Sequence, residues 1–204
     1  MNDENTIEMV LGNRSGMRVL RVLSSVTVAL SVRQIAQQTD LTYPAANAAL
    51  ERLERAGIVF VSKSGNTRLY QLVRKNIYVE QAILPLFQLE KGFRERIITE
   101  LRQKFSKEAV SILLFGSFAR EEQTSESDVD VLIVTTDSGQ KTVVEQIFVD
   151  YSAEFYFRFG HNLELLVYDL RQACELQKRA PALFSELKKD GYVISGSLDW
   201  MYDE

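Results

Sequence analysis

Two aspartates, Asp128 and Asp130, stand two positions apart in SDVDVLIV, a segment with the composition of a β-strand. Side chains two residues apart in a strand project from the same face, so the two carboxylates are expected side by side. Neighbouring carboxylates repel each other, and a hard divalent cation with a preference for oxygen ligands, Mg²⁺ or Mn²⁺, relieves that repulsion. The pair therefore predicts a metal site.

A third acid, Glu164, lies between two leucines in an apolar strand that spans residues 162–168. A carboxylate in apolar surroundings needs a partner, and the metal held by the aspartates supplies one. Three acids and two ions can carry out phosphoryl transfer, because the ions bridge triphosphate oxygens and neutralise the charge that develops in an in-line displacement. Asp128, Asp130 and Glu164 are thus predicted as metal ligands and as catalytic residues. The alternative is a set of solvated surface acids.

A turn at Gly116 and Ser117 follows a further apolar strand, residues 110–115, and precedes a segment compatible with a helix. Glycine lets a ligand approach the backbone, and the first amides of a helix together with the Ser117 hydroxyl form an anion site. Arg120 either contacts phosphate there or forms a salt bridge. Glu121 and Glu122 add negative charge beside this turn, which would weaken the binding of a triphosphate.

The charge is divided between the two halves of the chain. The whole sequence of 204 residues has a net charge of −4, but residues 14–75 contain 10 basic and 3 acidic residues, a net of +7, and residues 81–204 have a net of −7. A basic N-terminal half is expected when that half meets a polyanion such as DNA. The alternative is a chance segregation of solvated charge.

Two helices are predicted at the start of the basic half. Residues 13–24 repeat apolar side chains at helical spacing. Ser31 and Gln34 are placed to form a capping box, which would open a second helix that ends near Thr39.

A third helix and a hairpin follow. Thr42 can cap a helix with Pro44 in its first turn, which runs as far as Gly57. Residues 58–62 and 68–73 are typical of strands and flank the turn Lys63-Ser-Gly-Asn66. A helical wheel predicts that four residues of this helix point inward: Ala46, Ala49, Leu50 and Leu53. It predicts that four others point outward: Pro44, Ala48, Arg52 and Arg55.

Three helices followed by a β-hairpin, with QIAQQTDLTYPAANAALERLERAGIV at the centre, resemble the winged-helix family of bacterial and archaeal transcription regulators. The resemblance implies that the third helix enters the DNA major groove and that the hairpin touches the flanking backbone. It places the DNA-binding residues at Thr42, Asn47, Arg52, Arg55, Lys63, Asn66 and Arg68. Tyr43 also belongs to this helix, but the wheel turns it towards the core. Winged helices also act as protein-docking modules, and that alternative stays open.

The segment LLFGSFAREEQTSESDVDVLIV, followed by LELLV, is similar to the nucleotidyltransferase fold of the DNA polymerase beta superfamily, especially the minimal nucleotidyltransferases related to kanamycin nucleotidyltransferase. The resemblance implies transfer of a nucleoside monophosphate from a nucleoside triphosphate to a hydroxyl acceptor. Metals would bind Asp128 and Asp130, and Glu164 would aid deprotonation of the acceptor. The nucleotide-binding residues would be Gly116, Ser117 and Arg120. Relatives often have Gly after the Ala-Arg pair, where this chain has Glu121.

The predicted fold class is α+β: a winged helix at residues 1–76, a helical linker at 77–107 and a mixed-sheet nucleotidyltransferase domain at 108–204. Pro85 is expected to kink or restart the linker helix. The leading hypothesis is a Mg²⁺-dependent nucleotidyltransferase coupled to double-stranded DNA. The second is a transcription regulator whose transferase domain senses nucleotide or is inactive. The third is the antitoxin role of some minimal nucleotidyltransferases, with a toxin as partner.

The remaining sequence features predict the cellular compartment, the oligomeric state and the position of a few further side chains. No apolar run approaches the ~18 residues that cross a bilayer, and the opening MNDENTIEM has no signal-peptide pattern, so no membrane association is expected. The single cysteine, Cys174, fits a reducing compartment, the cytoplasm, and is expected to be buried. His161 is expected at a strand end, and the aromatic residues at 151–159 in a core. Binding to two DNA half-sites would make the protein a homodimer.

Overall fold

The computed structural model describes residues 12–124 and 126–202, and these form two compact units that divide between Gly92 and Phe93. The opening MNDENTIEM, on which the expectation about a signal peptide was based, lies outside the described residues. None of the helices in the described ranges has the length and apolar character needed to cross a membrane.

Three capped helices open the N-terminal unit: α1 Arg14–Ser25, α2 Val32–Thr39 and α3 Tyr43–Arg55. Each begins where a polar side chain accepts a hydrogen bond from a free backbone amide, which stabilises a helix end by about 1 kcal/mol. The capping box of Ser31 and Gln34 is confirmed, and so is the Thr42 cap of α3.

Strands β2 Val59–Ser64 and β3 Thr67–Leu72 form the predicted hairpin, in which Lys63 pairs with Arg68 across the turn. A third strand, β1 Leu30–Ser31, pairs antiparallel with β3 and was not predicted. A strand of two residues is too short to show alternation in the sequence, and it exists because the neighbouring strand satisfies its backbone groups.

The core of this unit contains all four inward positions predicted for α3, each no more than 1% exposed. They pack against apolar residues of α1, α2 and the hairpin. The prediction for Tyr43 was wrong, because its side chain is 58% exposed. Tyr43 is the first residue of α3, which follows the Thr42 cap. The helical wheel assigns a direction to each residue but carries no information on how far the core extends.

The helix is interrupted near Pro85, in line with the expectation that it would kink or restart there. A π-helical turn at Val79–Ile83 passes into α4 Leu84–Lys91, and Pro85, which has no backbone amide to donate, stands in the first turn of α4. Residues 79–92 belong to the N-terminal unit, whereas α5 Phe93–Phe105 belongs to the C-terminal unit. The segment predicted as a linker is therefore divided between the two units.

A four-stranded sheet forms the centre of the C-terminal unit, with strand order β6-β5-β4-β7. Its strands are β4 Ser111–Phe115, β5 Val129–Thr135, β6 Leu163–Asp169 and β7 Tyr192–Gly196. Strand β4 pairs antiparallel with β5 and β7, and β5 pairs parallel with β6. The helices that follow α5 are α6 Gly116–Ala119, α7 Ser138–Phe159, α8 Leu170–Cys174, α9 Leu176–Arg179 and α10 Pro181–Asp190, with a 3-10 turn at Asp199–Met201.

Both faces of this sheet are covered by apolar side chains. Odd-numbered residues of β5, such as Val131, pack with α5 and α7, and even-numbered residues, such as Leu132, pack with α8, α9, α10 and Trp200. Because side chains alternate along a strand, Asp130 and Glu164 project from the second face. Both residues lie close to the start of their strands, β5 and β6. The mixed helix and strand content and the mixed sheet agree with the predicted α+β class.

Two side-chain expectations need correction in this unit. Cys174 is exposed rather than buried, because Ala173 and Leu176 supply the inward positions of α8 and α9. Of the aromatic residues at 151–159, Tyr151 and Phe155 are buried as expected, whereas Tyr156 is 50% and Phe157 85% exposed. A long helix on a sheet buries only one stripe, and these two residues lie outside it.

Candidate functional site

The two central acids stand opposite each other on neighbouring strands. Asp130 on β5 is in register with Glu164 on β6 and with Phe115, the last residue of β4. Asp128 lies two residues before Asp130, just ahead of the first residue of β5. The predicted triad thus occupies one corner of the sheet, with Asp128 and Asp130 half-buried and Glu164 exposed.

The electrostatics of this corner are unfavourable for negative charge. Burial, together with the neighbouring carboxylates of Glu164, Asp128 and Glu186, raises the pKa of Asp130 to about 6, against the ordinary 3.8. A raised carboxyl pKa is typical of a functional site, because folding alone gains nothing from holding like charges together. A cation bound at this corner would relieve the repulsion between the carboxylates.

Gly116 is the residue that Asp130 packs against. Gly116 has a φ of +69°, and a Cβ at this position would overlap Asp130 Oδ2 and lie 3.1 Å from Asp130 Cγ. Two independent constraints, the left-handed backbone and the close approach of the carboxylate, therefore require glycine here. The phosphate turn and the carboxylate site predicted from separate parts of the sequence adjoin each other.

The turn at Gly116 opens α6, a single turn of helix, and Arg120 follows its end. The Arg120 guanidinium donates to Glu122 at 3.0 Å and to Glu186 on α10 at 3.1 Å, and it lies 4.0 Å from Asp190. These partners raise the pKa of Arg120. Of the two roles open for this residue, the salt bridge is the one present here. An open cavity of about 400 Å³ lies beside it, lined by Arg120, Ala182, Ser185, Glu186, Lys189 and Asp190.

Two residues that the sequence analysis did not assign to the site hold the segment before Asp130. Asn162 Nδ2 donates to Asp128 Oδ1 at 3.0 Å, and His161 Nδ1 donates to the Ser127 carbonyl at 2.7 Å. The His161 ring also packs edge-on against Phe118, with 4.9 Å between ring centroids. His161 lies at a strand end, as expected, but it has a definite contact there. The only feature of the sequence that could have indicated these contacts is the pair His161-Asn162, which directly precedes the strand that carries Glu164.

The residues fit a metal ion only in part. No three His, Cys, Asp or Glu side chains among residues 12–124 and 126–202 converge closely enough to hold a metal ion by themselves. Mg²⁺ is usually bound by one or two carboxylates and completed by substrate phosphates and water. Asp128 and Asp130 fit that arrangement, because their repulsion favours a cation and the phosphate turn adjoins Asp130.

The raised pKa of Asp130 gives a prediction about stability. Its pKa is higher in the folded protein than in the unfolded chain, so its contribution to the free energy of unfolding is fully present below pH ~4 and is lost as the pH rises through ~6. We expect Asp130→Asn, which cannot ionise, to have an increasingly higher Tm than the unchanged protein between pH 4 and 6.5, and a constant difference above. Thermal unfolding in buffer with EDTA measures this. A Tm difference that does not vary with pH would contradict it.

A second prediction concerns Asn162. Removal of its amide in Asn162→Ala frees Asp128 to rotate, and loss of an outer hydrogen bond of this kind typically weakens metal affinity by about 10- to 100-fold. We expect a corresponding rise in the Mg²⁺ concentration that gives half-maximal nucleotide-dependent stabilisation. Gln146→Ala is the matched control, because Gln146 makes the same type of bond at 3.1 Å to Asp150 on the exposed part of α7. Equal effects in both variants would remove the role of Asn162.

The residues predicted to bind DNA lie on α3 and on the hairpin, and several have contacts within the unit. Thr42 caps α3, Asn47 donates to Glu51 at 2.8 Å, and Arg68 pairs with Glu54 at 2.6 Å. Arg55 Nε donates to the backbone carbonyl of Glu51 at 3.3 Å. Of the other candidates, Lys63 and Asn66 are exposed and Arg52 is half-buried.

Comparison with known proteins places a family match on the C-terminal unit. Residues 94–189 match the nucleotidyltransferase domain family. The chain is 30% identical over 78 residues to the Methanocaldococcus jannaschii protein named Putative protein adenylyltransferase MJ1305, an alignment that covers 38% of this chain and 53% of the relative. It is 44% identical over 45 residues to Putative protein adenylyltransferase MJ0604 of the same organism, covering 22% of this chain and 44% of that protein. The chain thus spans about half the length of these relatives.

Solved structures show more distant likenesses. A homodimeric winged helix-turn-helix DNA-binding domain from Mycobacterium bovis has a TM-score of 0.34 and 20% identity, covering 47% of this chain and 81% of that one. A toxin-antitoxin crystal structure with AMP-PNP has a TM-score of 0.38 and 20% identity, covering 53% of this chain and 81% of that one. The family match and the two relatives indicate that this chain contains a nucleotidyltransferase-type domain.

Proposed function

We propose that the C-terminal unit transfers a nucleoside monophosphate from a nucleoside triphosphate to a hydroxyl acceptor. The observation that carries this proposal is the packing of Asp130 against Gly116, which joins a carboxylate cluster to a turn suited to phosphate. The family match of residues 94–189 supports it, and the adenylyltransferase names of the two relatives favour ATP as the first donor to test.

Each residue has a chemical task in this reaction. The backbone at Gly116 and Ser117 binds the triphosphate, and Asp128 and Asp130 hold the divalent cation, Mg²⁺ or Mn²⁺. When bound, the cation neutralises charge on the phosphate oxygens as the displacement proceeds. Asn162 orients Asp128 through their hydrogen bond at 3.0 Å. Glu164, exposed and in register with Asp130, faces the side from which an acceptor enters.

The bond changes are those of an in-line displacement. The acceptor O–H bond breaks and its proton passes to the Glu164 carboxylate. The acceptor oxygen bonds to the α-phosphorus, and the bond from that phosphorus to the bridging oxygen breaks, so that pyrophosphate leaves with the electron pair. In this scheme the Arg120 guanidinium exchanges one of its acidic partners, Glu122 or Glu186, for a phosphate oxygen.

Mass spectrometry tests the proposal directly. The full chain is incubated with each nucleoside triphosphate and Mg²⁺, alone and with candidate acceptors. We expect the release of pyrophosphate and a mass increase of one nucleoside monophosphate on an acceptor. Saturable binding of a triphosphate without either product would favour the alternative hypothesis of a nucleotide sensor, and absence of binding would contradict both.

We also propose that the N-terminal unit is a winged helix that binds double-stranded DNA. The exposed residues Tyr43 and Pro44 at the start of α3 and the exposed basic hairpin lie in a segment of net charge +7, as a helix and wing directed at a polyanion require. Homodimerisation would present two such units to two half-sites. The antitoxin hypothesis stays a prediction, because no contact of the described residues identifies a partner for it.

The dependence of DNA binding on salt tests this second proposal. We expect the affinity of the full chain for a DNA duplex to fall steeply with salt, and Arg55→Ala with Lys63→Ala to reduce the slope of log K against log[salt] by about 2, because each lost phosphate contact removes about 0.9. Fluorescence anisotropy measures both. Arg171→Ala with Lys178→Ala, two exposed residues of the C-terminal unit, is the control. Absence of salt-sensitive binding would favour a protein-docking module.

A further inference from the structure

The N-terminal unit contains an open cavity that takes no part in either proposed function. It has a volume of about 520 Å³ and lies between the last turns of α1, Arg74, which follows β3, and α4. Sites for small organic ligands are typically clefts of about 300–1,000 Å³ with apolar walls and a few polar groups that fix the ligand. The side chains around this cavity therefore indicate which chemistry a ligand would need.

Leu84 and Phe87 on α4 supply an apolar wall. Phe87 is 9% exposed, and Leu84 packs against the core of the same unit. The Arg21 guanidinium lies 5.5 Å from the centre of the Phe87 ring and donates to both oxygens of Glu90, at 2.8 and 3.2 Å. A bidentate pair of this kind fixes the position of the guanidinium. Helices α1 and α4 thus form this wall by themselves.

Two further cations line the cavity, Arg74 and Lys91. Nη2 of Arg74 donates to the backbone carbonyls of Ser24 and Val26, at 3.2 and 2.9 Å. Across residues 12–124 and 126–202, neither Arg74 nor Lys91 forms an ion pair with an acid, and Nε and Nη1 of Arg74 have no acceptor. Guanidinium and ammonium groups bind the oxygens of anions. Positive charge on this side of the cavity is therefore available to an anionic group.

The hydroxyl of Ser24 adds an unsatisfied polar group to the same wall. Ser24 Oγ is buried and has no hydrogen-bond partner in the described part of the chain, although most buried polar side-chain atoms have one. The neighbouring Ser25 hydroxyl, in contrast, donates to the Val22 carbonyl at 2.8 Å. Because Ser24 lines the cavity, a ligand oxygen bound there would supply the missing acceptor.

Negative charge around the cavity favours a ligand with a single negative charge. The Glu90 carboxylate lines the cavity, and the carbonyls of Ser24 and Val26 at the end of α1 have the partial negative charge of a helix C-terminus. These groups would repel a phosphate with two charges more strongly than a carboxylate with one. A neutral ligand would leave the charges of Arg74 and Lys91 without a partner.

We propose that this cavity binds a small organic monocarboxylate that has an apolar ring. The carboxylate accepts hydrogen bonds from Arg74, Lys91 and Ser24, and the ring packs against Leu84 and Phe87. This site is separate from the proposed transfer site and from the residues proposed to bind DNA, so the inference goes beyond both functions and is tested without nucleotide or DNA.

Three compounds with the same ring and different head groups test the chemistry: 1-naphthoate, 1-naphthyl phosphate and the neutral 1-naphthalenemethanol. Isothermal titration calorimetry of the full chain is carried out at pH 8 in buffer with EDTA, which keeps divalent cations from binding a phosphate elsewhere. We expect 1-naphthoate to bind with a Kd of about 1 mM or lower, and the other two at least about fivefold more weakly. Absence of 1-naphthoate binding, or equal or tighter binding of another compound, would overturn the inference.

Charge variants test whether 1-naphthoate binds in this cavity. We expect Lys91→Glu to weaken its binding by at least about fivefold and Lys91→Gln, which removes the charge without reversing it, to weaken binding by a smaller factor. Lys75→Glu is the matched control, because Lys75 is an exposed lysine of the same unit that does not line the cavity. Equal affinities in the Lys91 and Lys75 variants would overturn the inference.

The two serines at the end of α1 provide a second pair of variants. Ser24→Ala removes a buried hydroxyl that has no partner, so we expect an unchanged or higher Tm together with about three- to tenfold weaker binding of 1-naphthoate. Ser25→Ala is the control and should leave the affinity unchanged. Equal affinities in the two variants would contradict the proposed position of the carboxylate.

Discussion

Asp130→Asn is expected to abolish nucleotide transfer while the protein stays folded. The variant removes one of the two charges that we propose hold the cation, and a metal clamp of this type stabilises the transition state by several kcal/mol. Since about 1.4 kcal/mol corresponds to a factor of ten in rate, we expect a loss of at least about 10³-fold. Pyrophosphate release at saturating nucleotide measures it.

Asp150→Asn is the matched control for this substitution. Asp150 is an exposed acid of the same unit, on α7, and accepts a hydrogen bond from Gln146. We expect full activity in the control variant. We expect Asp130→Asn to be inactive and to have a higher Tm above pH 6. Such opposite changes in activity and stability distinguish a functional carboxylate from a structural one. Retention of more than a tenth of the activity would contradict the assignment of Asp130.

Gly116→Ala is expected to have the second largest effect. A left-handed φ costs a residue with a Cβ about 1–2 kcal/mol, and the new Cβ at Gly116 would in addition overlap the Asp130 carboxylate. Because Asp130 must move to make room, we expect at least about a 10²-fold loss of activity in addition to the loss of stability. Steady-state kinetics and thermal unfolding measure the two effects separately.

Gly160→Ala separates the cost of backbone strain from the cost of the displaced carboxylate. Gly160 ends α7 with a φ of +73°, close to that of Gly116, and a Cβ there would meet no heavy atom within 4 Å. We expect a similar loss of Tm from the backbone term and unchanged activity. If both variants lose activity to the same extent, the contact between Gly116 and Asp130 has no functional importance.

The sequence by itself determined features that depend on neighbours along the chain. Helix caps at Ser31 and Thr42 are made by hydrogen bonds within three residues, and they occur where expected. The projection of Asp128 and Asp130 from one face follows from the alternation of a strand and needs no knowledge of the fold. The same local reasoning was wrong at Tyr43 and Cys174, because burial depends on what lies opposite a side chain.

The tertiary structure alone decided which distant residues meet. Glu164 is opposite Asp130 because β6 joins β5 in one parallel register, a choice made by the packing of both strands against α7 and not by either segment. Two of the three acidic partners of Arg120 lie on α10, and one of them, Glu186, is 66 residues away in the sequence. The contact of Asn162 with Asp128 is likewise a result of strand order. Such contacts arise from the simultaneous burial of both sheet faces, a condition on the whole unit that no single segment of sequence contains.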